Sequence, residues 1–246
     1  MHDDADSIRW FLDGGLNTLH KIANVPLLHY AIASNSLKCA TTLLKQGADV
    51  NYNEPNVGTP AMIVCSTRSA NRLAGLRLLI KYKADLNLIV EDRNCLLSAI
   101  LRENISALDI LISNEVNLHQ LHAPFNYHVL HAASILNFLK SAIYLLNHST
   151  SCDIQTESGQ TPLMLACHKN HKSMVQFLLW YGADKTIINN QLRTALNLTT
   201  NPEIRALLEL DKKPPLPDEA RTIMIDVARN NKNVFKQLCN RELGKK

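Results

Sequence analysis

A six-residue phrase returns along this chain every 33 to 35 residues, and its clearest copy is Thr161-Pro162-Leu163-Met164-Leu165-Ala166. The first residues of the copies are Pro26, Thr59, Asn94, His128, Thr161 and Thr194, separated by steps of 33, 35, 34, 33 and 33. A second series runs in register with the first: apolar doublets at Leu43/Leu44, Leu111/Ile112, Leu145/Leu146 and Leu178/Leu179, with Leu79/Ile80 delayed by three residues. A period of this length replaces a count of globular domains by a count of repeats. Each unit is too small to bury its own apolar face and must stack on its neighbours, so one elongated body is expected.

The copy at Thr161 shows how a unit works. Proline is tolerated at the first helical position and threonine can cap the free amides, so Thr161-Pro162 opens a helix. Leu163, Ala166 and Cys167 follow at helical spacing. Asn170 ends the helix, as Asn35 and Asn137 do nine residues past their own anchors, because asparagine tolerates the left-handed conformation of a helix end. Met174, Val175, Leu178 and Leu179 then form one face of a second helix.

These residues resemble the ankyrin repeat, whose pattern is Thr-Pro-Leu-His-x-Ala, a short polar turn, a Leu-Leu helix and a Gly-Ala-Asp-x-Asn tail. Gly47-Ala48-Asp49-Val50-Asn51 and Gly182-Ala183-Asp184 match the tail, and Ala84-Asp85-Leu86-Asn87 is close to it. The resemblance implies an all-α solenoid of stacked helix-turn-helix pairs with β-hairpin-like loops, about five full repeats plus degenerate ends. Residues 1–20 read as an N-terminal half-repeat or cap, 21–210 as the array, 211–217 as a Pro-rich spacer and 218–246 as a C-terminal helical cap or degenerate repeat that packs on the end of the array. The pattern is broken where the tail glycine is Lys83, Glu115 or Ser149, which puts those three turns in question, and where the fourth anchor is His128.

At the start, Asp6 to Leu12 with Asp13-Gly14-Gly15 reads as a second helix and tail whose first helix is missing. At the other end, Pro214 and Pro217 have the Pro-x-x-Pro spacing of an SH3-type ligand. Asp211, Asp218 and Glu219 occupy the flanks where such ligands carry a base, so a stiff spacer is the expected reading. Beyond it, Ile223 and Val227, then Val234, Phe235 and Leu238, mark two helical stretches.

Apolar residues make up 46% of the chain, enough for a continuous core, and a net charge of +4 with both signs interspersed is no nucleic-acid footprint. No apolar run is long enough to span a membrane, and the acidic start Met1-His2-Asp3-Asp4 lacks a secretory flank. The six dispersed cysteines read as reduced thiols of a cytoplasmic protein, with Cys65 and Cys167 as core filler. No phosphate-cradling, zinc-protease or nucleophile-elbow motif is present, and Cys167-His168 diverge by about 100° on a helix, so no enzyme activity and no cofactor is expected. His119, His122, His128 and His131 include two His-x-x-His spacings that could be drawn as a metal site. Against that, His131 and His29 occupy the histidine of the phrase, where the resemblance implies a structural hydrogen bond, so no metal is expected.

Ankyrin arrays bind other proteins, and the resemblance implies a concave surface made of hairpins and first helices. The expectation is a non-catalytic scaffold that is monomeric and binds a protein rather than nucleic acid or membrane. Positions seven and eight past the anchors should be exposed, and there Leu101, Arg102, Ile135 and Leu136 stand out. The hairpin before the fourth repeat adds His122, Phe125 and Tyr127, with Glu91, Asp92, Arg93 and Arg102 as a polar rim. The open alternatives are that these apolar residues pack on neighbouring helices, and that the repeats are the targeting part of a larger enzyme. The Asn- and Lys-rich composition also resembles ankyrin effectors that intracellular bacteria deliver into host cells.

Overall fold

The computed structural model describes residues 18, 20–22, 25–123, 126–148 and 150–230. The N-terminal half-repeat, Phe125, Ser149 and the second C-terminal helical stretch therefore lie outside the described residues. The chain divides into two compact units between Asn117 and Leu118.

In the first unit a short hairpin, β1 (Lys21–Ile22) and β2 (Val25–Pro26), leads into α1 (Leu27–Ala33) and α2 (Leu37–Lys45). Two further pairs follow: α3 (Pro60–Cys65) with α4 (Leu73–Lys81), and α5 (Cys95–Leu101) with α6 (Ile105–Ser113). First helices pack on first helices, α1 on α3 and α3 on α5, while α2, α4 and α6 pack in the same order. Ile32, Leu43, Leu76, Leu79, Leu96, Ile100, Leu108 and Leu111 are fully buried between these layers. Each such side chain contributes about 1.5–3 kcal/mol over its exposed state.

The second unit begins with the hairpin β3 (Leu121–His122) and β4 (Tyr127–His128), paired antiparallel with Leu121 opposite His128. It continues through α7 (Val129–Ile135), α8 (Leu139–Asn147), α9 (Pro162–His168), α10 (Lys172–Tyr181), a 3-10 turn at Ala195–Leu198, α11 (Pro202–Glu209) and α12 (Asp218–Asn230). The sequence places residues 218 onward on the end of the array, but α12 lies instead against α8 and α10, the second helices of the fourth and fifth repeats. Its apolar stripe, Ala220, Ile223, Met224 and Val227, is buried in that position. The segment before it is fixed by Gln176 Nε2, which donates to Pro215 O at 2.7 Å, and by Lys213 Nζ, 4.4 Å from the centre of the Trp180 ring. Pro214, Leu216 and Pro217 are buried, so the Pro-x-x-Pro face is turned inward.

Local rules account for the repeat boundaries. Thr59 Oγ1, Asn94 Oδ1 and Thr161 Oγ1 accept from amides three residues on, at 3.4, 2.8 and 3.2 Å, capping α3, α5 and α9. Asn35, Asn137 and Asn170 all adopt positive φ (58, 57 and 57°) after the first helix. Lys83 and Glu115 stand where Gly47 and Gly182 do, and both accept the left-handed conformation (φ 67 and 56°) despite carrying a Cβ. Tail side chains tie neighbouring repeats: Asn51 Oδ1 accepts from Asp85 N and Asn87 Oδ1 from Asn117 N, both at 2.8 Å, and Asp153 Oδ1 from Asp184 N at 3.0 Å.

Candidate functional site

In the first unit, Leu101 is the last residue of α5 and is 42% exposed, with Arg102 exposed beside it. The turn between α3 and α4 is the longer one, running from Ser66 through a 3-10 turn at Ala70–Arg72. Asn104 of the next repeat holds that turn: its Nδ2 reaches Val64 O (3.4 Å), Cys65 O (3.3 Å) and Thr67 O. From it Arg68 extends to donate through Nε to Arg102 O at 2.7 Å, and its guanidinium Nη2 lies 4.0 Å from Glu103 Oε2. Arg68, Leu101 and Arg102 therefore share one surface at the ends of the first helices. The rim expected from the sequence is not gathered there. Glu91 and Asp92 form the tip of the Val90–Arg93 bridge, both at positive φ (48 and 61°), at the opposite end of α5, whose seven residues rise about 10 Å.

In the second unit the expected patch separates into two. His122 is only 3% exposed, and this corrects its reading as a partner-facing residue. Alternation along β3 turns His122 inward and Leu121, 44% exposed, outward. Tyr127 is half-buried, edge-on to His131 at 5.8 Å between ring centres. Ile135 and Leu136 stand at the other end of α7; Ile135 is half-buried, with its carbonyl accepting from His171 Nε2 at 2.8 Å, and Leu136 is 39% exposed.

The two central histidines are bound on both ring nitrogens. His128 caps α7, its Nδ1 accepting from Leu130 N at 3.0 Å, while Nε2 donates to Leu118 O. His131 Nδ1 accepts from His128 N at 2.9 Å, and its Nε2 donates to Ile154 O at 2.9 Å. Burial, above all, pushes both imidazoles down to about 4, and the neighbouring histidines add to the effect at His128. Their four ring nitrogens are thus committed to the backbone. Burial likewise pushes the Cys167 thiol up to about 12, while its neighbour Cys95 and burial push Cys65 up, so both act as core.

Arg68 was missed in the sequence, although the three-residue delay of Leu79/Ile80 signals the inserted turn that carries it. Leu192 was missed as well. It occupies the place that Gly159 holds one repeat earlier, at φ 58°, and is 78% exposed.

The family model for ankyrin repeats (3 copies) matches residues 28–121 and 96–189. The human NAD-capped RNA hydrolase NUDT12 is 44% identical over 55 residues, 22% of this chain and 12% of that protein. Ankyrin repeat protein OPG189 of vaccinia virus (strain Copenhagen) is 26% identical over 153 residues, 62% of this chain and 26% of that protein. The chain thus spans only a small part of the curated relatives it matches. The solved ankyrin repeat domain of human ASB11 superposes with a TM-score of 0.70 at 26% identity, covering 87% of this chain and 98% of that one.

Proposed function

Because the chain belongs to the ankyrin-repeat family, whose arrays are generally protein-interaction modules, we propose that it binds a protein partner and catalyses no reaction on it. The partner sits on the ends of the first helices and the turns beyond them. The observation that carries this reading is the pair Leu101 and Leu136, leucines held in water at that level of their repeats while nearly every other first-helix leucine is buried. His128 and His131 beside the second unit's hairpin serve the backbone, and Cys65 and Cys167 are buried in the core, which supports display rather than chemistry. No helix among the described residues is long and apolar enough to cross a membrane.

Affinity capture with the intact chain tests the reading. Leu101→Asp or Leu136→Asp is expected to abolish retention of the captured protein with an unchanged melting temperature. Retention by both variants would remove the partner from these surfaces. A second reading, in which the repeats recognise substrate for a longer enzyme, draws on the short match to NUDT12; a natural reading frame that continues into a catalytic domain would favour it.

A further inference from the structure

We propose that the surface formed by Arg68, Leu101 and Arg102 in the first unit takes an acidic protein segment that places an apolar side chain against Leu101. This rests on the interaction reading above and adds the partner's chemistry. Three observations carry it. The turn bearing Arg68 exists only because the second repeat is longer than its neighbours between its helices, and Asn104 fixes it through three carbonyls, so the arginine is displayed from a rigid support. Arg68 spends Nε on the main-chain carbonyl of Arg102, which holds its guanidinium at the helix end that carries Leu101 and Arg102, and its side chain stays 68% exposed. The charge there is unbalanced: Glu103, 4.0 Å from Arg68, is the acid at hand, and among the described residues Arg102 has no ion pair.

Guanidinium groups fork onto carboxylates, and an exposed leucine on the same helix end as the two arginines offers an apolar anchor beside charge. A nucleic acid would find no aromatic face for its bases on this surface, and an acidic peptide satisfies both the charge and the leucine.

The test uses the full chain and fluorescence anisotropy with a fluorescein-labelled peptide of glutamates around a central leucine. The same peptide with lysine for every glutamate and a labelled oligothymidylate are the controls. The acidic peptide is expected to bind, more weakly as salt is raised. The double variant Arg68→Ala/Arg102→Ala is expected to lose at least about tenfold in affinity, Leu101→Ala severalfold, and Arg77→Ala, an exposed arginine on α4, nothing. Arg68→Lys/Arg102→Lys should restore part of the binding, and melting temperatures establish that all variants fold. Binding no tighter than the lysine peptide, equal loss with Arg77→Ala, or tighter binding of the oligonucleotide would overturn the proposal. A captured partner that depends on Leu136 and ignores Arg68 and Arg102 would overturn this surface while leaving the interaction reading intact.

Discussion

His29 and His131 stand at the same position of the same phrase, three residues past the anchor, yet they are not equally satisfied. Each sends Nε2 to a carbonyl of the following loop, Gly58 O for His29 and Ile154 O for His131, both at 2.9 Å. His131 Nδ1 also receives the amide of its anchor, His128. The anchor in the first repeat is Pro26, which has no N–H, and His29 Nδ1 is buried without a partner. A residue whose own side chain fits the turn can thus still deprive a neighbour through its backbone, and a buried acceptor left unpaired costs about 1–3 kcal/mol.

Acid should affect the fourth repeat most. The unfolded chain takes up protons on these histidines from about pH 6.5, whereas folded His128 and His131 resist until about 4. Their contribution is fully present above 6.5 and is lost as pH falls toward 4, by at most about 3 kcal/mol per histidine. Melting curves between these limits should fall steeply, and His128→Thr should flatten the slope. An unchanged slope would mean that His128 is not buried neutral.

Next in size, His131→Ala should cost about 3 kcal/mol in urea titration, since it strands both a buried amide and a carbonyl. His29→Ala should cost about 1 kcal/mol less, because only one bond is broken. Equal losses would break the comparison. The smallest effect runs the other way. Pro26→Thr restores the amide and adds a capping hydroxyl, and should stabilise the chain by about 1 kcal/mol. The new amide should be protected from hydrogen exchange in the wild-type background and should lose that protection in His29→Ala.

The repeat frame was legible because it is written in apolar spacing and turn chemistry: the anchors Thr59, Asn94 and Thr161 cap their helices, and the asparagines after the first helices take positive φ. Lys83 and Glu115 were doubtful from their side chains alone; packing on either side holds the left-handed turn that their local preference opposes. The site was less legible. Exposure alternates with each residue along a two-residue strand, so His122 and Leu121 exchange roles with a shift of one. Arg68 depends on an inserted turn whose path is set by Asn104, thirty-six residues away. The destination of α12 was hidden because an amphipathic stripe states that a face will be buried but does not name the neighbour.

A partner is expected to engage the first-helix ends rather than the second-helix layer. Hydrogen exchange of the intact chain, alone and saturated with its captured partner, tests this most directly. Slowed exchange confined to first-helix ends, at residues 66–68 and 101–103 of the first unit or at 135–137 of the second, is the predicted result. Slowing concentrated on α2, α4, α6, α8 and α10, with the first-helix ends unchanged, would contradict it.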